Sequence, residues 1–272
     1  MFILFDIGGS KTRIAASYTG KKIDTIEIFK TPKNFKDGIA IFKEVVPRLA
    51  KGKKIKAVAG GMPGYFDLKR TQVLGSAPNI KNWIRKPIVK EIGKITHSPV
   101  YLENDADLVG LGETHYGAGR GYKIVAYFTV STGVGGGRIV DDRIDPSVRH
   151  SEPGKQILDL KKNLTLEDLT AGRSIAKKYH KKPYEILDKK FWDKLAGILA
   201  IGVQNTIVHW APDAVVIGGS MMKKIGIKIP RVQFHLKRIM KISHADLPPP
   251  KIKKAILGDF GGLYGALARI KQ

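Results

Sequence analysis

The strongest constraint in this sequence is a pattern that occurs twice. Residues 2–5 read as an apolar strand that runs into Asp6-Ile7-Gly8-Gly9-Ser10-Lys11-Thr12, and residues 13–18 read as a returning strand. Residues 123–130, the turn Ser131-Thr132-Gly133-Val134-Gly135-Gly136-Gly137 and residues 138–140 repeat the arrangement. A strand, a tight glycine turn and a second strand form a β-hairpin signature. The two hairpins lie about half a chain apart, which predicts a duplicated unit. Helical spacing marks residues 35–49, 83–95, 104–116, 165–179, 191–210 and 263–270. Strands are expected at 23–29, 55–59, 100–102, 214–217 and 252–257, with a stiff turn at Pro248-Pro249-Pro250. Strands alternating with helices place the chain in the α/β class.

The 272 residues are 43% hydrophobic, enough for one large or two modest cores. No run approaches the 18 or so apolar residues of a membrane span, so no membrane partner is expected. The opening MFILFDIGG reads as a strand entering a turn and lacks the basic segment of a leader. Cysteine is absent, which rules out disulfides and thiolate metal sites and fits a cytoplasmic location. The formal charge is +24. Its basic runs, such as Lys51-Gly52-Lys53-Lys54 and Lys177-Lys178-Tyr179-His180-Lys181-Lys182, are short and scattered. They read as solvated faces, and no specific nucleic-acid partner is expected.

Glycine turns bring backbone N–H groups close to phosphate oxygens, and a neighbouring hydroxyl adds a donor. Gly8, Gly9, Ser10, Lys11 and Thr12 form one candidate clamp; Thr132, Gly133 and Gly135 form a second. Neither is a Walker loop, and a strand follows each where a Rossmann turn needs a helix. Gly218-Gly219, after the strand at 214–217, is a third turn of this kind, at the strand end where α/β sheets bind nucleotides. Asp6 closes the first strand, where it either orients water on Mg2+ or caps the turn. Glu103-Asn104-Asp105-Ala106-Asp107 sits at a helix entrance. Phosphoryl transfer to a hydroxyl needs positioning, a metal and one base, and Asp105 is the candidate base. Helix capping is the competing reading of the same segment. His209 lies on an apolar helix and reads as a core residue, as Trp83, Trp192 and Trp210 read as packing residues.

These segments, with Gly61-Met62-Pro63-Gly64, Ala77-Pro78-Asn79-Ile80 and Gly258-Asp259-Phe260-Gly261-Gly262, occur in the order found in the ROK (repressor, open reading frame, kinase) family. The chain resembles that family over nearly its whole length. The resemblance implies an α/β actin-like ATPase fold, of ribonuclease-H-like type, with two domains closing on an interdomain cleft. They are expected at 1–110 with 258–272, the smaller, and at 111–257, the larger. It implies a glucokinase- or fructokinase-like transfer from ATP and Mg2+ to a hexose or amino-hexose. Asp105 takes the base role, and Gly61, Asn79, Asn104, Glu152 and Glu167 join it around the sugar. The family's Glu-x-Gly-His appears as Glu152-Pro153-Gly154-Lys155, and its C-x-C-G-x-x-G-C zinc motif is missing. No zinc site is therefore expected, and Lys155 is expected to be solvent-exposed. A sugar-binding pseudokinase and a kinase using polyphosphate remain alternatives, and a homodimer is one open assembly state. A repressor reading would need a helix-turn-helix before Asp6, where five residues stand.

Overall fold

The computed structural model describes residues 1–75, 77–146, 151–240 and 249–272. The first hairpin is β1 (Phe2–Ile7) and β2 (Lys11–Ser17), paired from Phe2–Ser17 to Ile7–Thr12, which leaves Gly8-Gly9-Ser10 as the turn. Strand β3 (Thr25–Lys30) extends it. Helix α1 (Phe35–Ala50) begins where the Asn34 side chain accepts the Lys36 N–H at 3.0 Å, and ends at left-handed Lys51. Its Phe35, Ile39, Phe42, Val46 and Leu49 recur every three or four residues and are buried as one face. There follow β4 (Ala57–Met62), the small hairpin β5 (Tyr65–Phe66) and β6 (Val73–Gly75), α2 (Ile88–Thr96), β7 (Val100–Asn104) and α3 (Asp105–Tyr116). The helix expected at 83–95 starts only at Ile88. Trp83 instead ends a 3-10 turn (Pro78–Trp83), and left-handed Arg85 and Pro87 stop a helix forming sooner.

The second hairpin is β8 (Ile124–Val130) and β9 (Val134–Val140), with β10 (Arg143–Ile144) at its edge. Next come β11 (Ile157–Asp159), β12 (Leu164–Thr165), α4 (Leu166–Thr170), α5 (Gly172–Tyr179), α6 (Lys189–Trp210), β13 (Ala214–Gly218), α7 (Ile229–Ile239), β14 (Lys251–Lys254) and α8 (Gly261–Arg269). The single helix expected at 165–179 is two, because Ala171 is extended with ψ of 146°. The strand expected at 252–257 is Lys251–Lys254. The proline turn at 248–250 falls partly outside the described residues.

Two sheets share one topology. The first runs β3-β2-β1-β4-β7, with β1, β4 and β7 parallel. The second runs β10-β9-β8-β13-β14, with β8, β13 and β14 parallel. A hairpin edge followed by two parallel crossovers thus occurs twice, once in each of two compact units, Met1–His115 with Asp259–Gln272, and Tyr116–Gly258.

Each unit has its own core. In the first, Phe5 meets Phe42 edge to face at 5.5 Å, and Trp83 meets Phe35 at 5.4 Å while its indole N–H donates to Pro32 O. In the second, Leu195, Leu199 and Val203 of α6 are buried in one cluster with Phe128 and Ile217. No helix among the described residues is long and apolar enough to cross a membrane.

Candidate active site

The carboxyl ends of β1, β4 and β7 carry the first group of predicted residues. Register places Asp6 beside Gly61, Gly61 beside Glu103, and Met62 beside Asn104. This is the end of a parallel sheet where α/β folds place ligands. Opposite Asp6 in the hairpin stands Arg13, whose Nη1 reaches Asp6 Oδ2 at 3.0 Å. Burial pushes the Asp6 carboxyl up; the Arg13 charge and hydrogen bond oppose that, and the charge of Asp259 adds to it. A Cβ on Gly262, in the first turn of α8, would lie 3.0 Å from Asp6 Cγ, so the helix entrance comes directly onto this carboxyl.

Asp105 is the first residue of α3. Burial, then the charge of Asp6, push its carboxyl up to about 7, against the hydrogen bond from the Ala106 N–H. A carboxyl titrating there is matched to general-base work near neutral pH. Gly61 lets β4 lie against this corner: a Cβ would sit 3.0 Å from Leu108 Cδ2 and 3.3 Å from the Asp105 Cα. Buried Asn104 is the helix cap, accepting the Ala106 and Asp107 N–H groups at 2.8 and 3.3 Å, while its amide donates to Gly64 O. Asn104 thus supplies the cap, and the Asp105 carboxyl stands beside it at the helix mouth. Glu103, the third polar residue of the segment, is buried and bound by Arg70 and by Arg269 at 2.8 Å. That is a paired structural carboxylate.

Asn79 leaves the 3-10 turn to lie over the first glycine turn, and a Cβ on Gly9 would meet the Asn79 Cβ at 2.7 Å. Gly8 N–H closes the turn on Lys11 O at 2.8 Å. Ser10 and Lys11 are exposed, whereas Thr12 is buried with its hydroxyl on Thr31, which in turn donates to Gly8 O. Thr12 thus braces the turn from beneath.

In the second unit the two remaining glycine turns meet. Ser131 Oγ and Ser220 Oγ are 2.9 Å apart, and Gly218 pairs with Thr129 at the parallel carboxyl ends of β8 and β13. Gly219 has φ of 98°, and a Cβ there would lie 2.7 Å from Val130 N. The first two N–H groups of α5, on Gly172 and Arg173, bind the carbonyls of Ser131 and Thr132, which leaves Thr132 exposed at the tip. Gly135 pairs with Thr129 inside the β8–β9 ladder. Glu167 accepts the Val134 N–H at 2.8 Å and holds Lys155 Nζ at 2.6 Å. Lys155 is exposed, as expected, and is ion-paired there.

Half-buried Glu152 lines a cavity of about 300 Å³ with Gln156, Asn205, His209 and Trp210. His209 is exposed there, not in the core, because its position on α6 faces away from the buried stripe. A larger cavity of about 680 Å³, lined by Leu187, Trp192, Asp193, Lys224 and Arg231 among others, contains none of the predicted residues. Among the described residues no three His, Cys, Asp or Glu side chains are placed to cage a metal.

Residues 3–272 match the ROK family. The chain belongs to the ROK family. Its α/β, actin-like fold is the one that the sequence resemblance implied. This ROK chain is 33% identical over 134 residues to a glucokinase of Thermotoga maritima, a match covering 48% of this chain and 42% of the relative. The structure of a ROK hexokinase from Thermus thermophilus superposes with a TM-score of 0.83 at 26% identity, covering 99% of each chain. A ROK family glucokinase from Streptomyces griseus, solved with glucose and AMPPNP, gives 0.77 at 22% identity, over 98% of this chain and 97% of the other.

Proposed function

We propose that this ROK protein transfers the terminal phosphoryl group of ATP to a hydroxyl of a hexose or amino-hexose, with Asp105 as the base. One observation carries the reading: a carboxyl at the carboxyl end of the parallel strands, held by a capped helix entrance and pushed up to about 7. Asp105 takes the hydroxyl proton as the sugar oxygen bonds to phosphorus and the bond from phosphorus to the ADP oxygen breaks. Asn104, which caps the same helix, is assigned as the sugar's amide partner. Gly61 and Asn79 line that side, and Glu152 and Glu167 belong to the sugar loops of the second unit. Phosphate binding is assigned to Gly8, Gly9, Ser10 and Lys11, and to Thr132, Gly133, Gly218 and Gly219. Relatives acting on glucose, and a neighbour holding glucose and AMPPNP, support the donor and acceptor classes.

A divalent cation fits beside Asp6. That carboxyl is raised by burial, against its ion pair with Arg13 and with a smaller push from Asp259, and it raises Asp105 in turn, a repulsion that a cation relieves. With no cage of three ligands among the described residues, Mg2+ would be held through water by Asp6 and by the phosphates, as is usual for that ion. When bound, it neutralises phosphate charge.

A coupled ADP-release screen over glucose, fructose, mannose, N-acetylglucosamine and N-acetylmannosamine tests the proposal. Sugar-dependent ADP formation from ATP is expected. Sugar binding with no ADP formation would leave a non-catalytic sugar-binding protein, and turnover only with polyphosphate would change the donor. Metal analysis gives a separate expectation. With no cysteine and Lys155 at the histidine position, the protein should carry no stoichiometric zinc. Chelating trace transition metal should leave Tm unchanged, whereas removing Mg2+ should stop turnover. One tightly held zinc per chain would contradict this.

A further inference from the structure

The second glycine turn has an acid seated on it. Glu167 Oε2 accepts the Val134 N–H at 2.8 Å, and the missing side chain of Gly133 makes the approach possible, since a Cβ there would lie 2.6 Å from that oxygen. Glu167 stands in the first turn of α4, whose start is held by a capping box in which Thr165 and Asp168 bind each other's backbone N–H groups. Lys155 reaches it from a third segment, the 3-10 turn Pro153–Lys155. That turn is packed onto the same loop, because a Cβ on Gly154 would lie 2.8 Å from Val134 Cβ. Three segments distant in sequence therefore converge on one carboxylate.

A turn that offers amides to a polyanion is poorly served by a bare negative charge on one of them. The Lys155 ammonium removes that charge while leaving the carboxylate as a hydrogen-bond acceptor that shapes the turn. The side chains are 49% and 27% exposed, so the pair is solvent-screened and contributes little to folding. Its effect falls on whatever anion approaches the turn.

We infer that Lys155 is a positioning residue for nucleotide phosphate: by neutralising Glu167 it lets the second glycine turn keep its shape without repelling a polyanion. The inference rests on the assignment of that turn to phosphate. Calorimetric titration with ATP and Mg2+, without sugar, tests it, together with KM for ATP, kcat and Tm. Lys155→Met should weaken ATP binding and raise KM for ATP about fivefold, with kcat and Tm near wild type. Lys155→Arg should restore affinity, and so should adding Glu167→Gln to Lys155→Met, which removes the uncompensated charge. The Lys155→Met defect should shrink as salt rises. Wild-type ATP affinity in Lys155→Met, or a double variant no better than Lys155→Met, would overturn the inference and leave the proposed function standing. A wild-type protein that binds no ATP would overturn both.

Discussion

Asp105→Asn should lower turnover by at least about a hundredfold, the usual effect of losing a general base, while the protein becomes more stable at pH 8. Both effects have one cause. Burial and the charge of Asp6 hold the folded carboxyl near 7, well above its usual value. Between about pH 4 and 7 the folded state keeps a proton that the unfolded chain has released, so native stability falls as pH rises through this window. Above it, ionised Asp105 costs as much as about 4 kcal/mol, and an amide removes that cost. The Tm of Asp105→Asn should therefore exceed that of wild type at pH 8, and the gap should close at pH 4. Reduced activity with reduced stability at pH 8 would mean that the substitution damages the fold.

The second large effect is expected where α3 crosses α8. A Cβ on Gly265 would fall on the Leu108 carbonyl oxygen and 2.5 Å from its carbon, and one on Gly112 would lie 2.6 Å from Gly261 O. Backbone atoms cannot swing aside as a side-chain end can, so the helices must separate. Gly265→Ala should cost roughly 3 kcal/mol or more, at the upper end for overpacking. It should also lower activity, because α3 opens on Asp105 and α8 opens against Asp6. Urea denaturation reads the first effect and kcat the second. Gly75→Ala, where a Cβ meets nothing within 4 Å, is the control and should match wild type. A wild-type urea midpoint for Gly265→Ala would show that the crossing is looser than the structure has it.

The sequence was most legible where function and backbone chemistry coincide. Both hairpins, the glycine turns and the helix mouth at Asp105 could be read because glycine runs and capping residues act locally. Arg13 was also within reach: counting back from the turn puts it opposite Asp6, yet it passed as an ordinary strand residue. The partners of Glu103 were not, since Arg70 and Arg269 are 33 and 166 residues away and only the fold unites them. The break at Ala171 was hidden because α4 and α5 keep one apolar spacing, and the extended residue belongs to tertiary packing. The ion pair of exposed Lys155 with Glu167 was out of reach, because partners 12 residues apart leave no trace in a single segment.

The pH dependence of kcat/KM for the preferred sugar tests the central claim most directly. If Asp105 is the base, the profile should rise about tenfold per pH unit below a single ionisation, then level. Burial keeps that ionisation above the usual carboxylate range, and Mg2+ beside Asp6 brings it below 7 by relieving the Asp6 repulsion. A profile flat from pH 5 to 9, in an enzyme shown to be folded throughout by its near-ultraviolet circular dichroism, would contradict Asp105 as the group that accepts the proton.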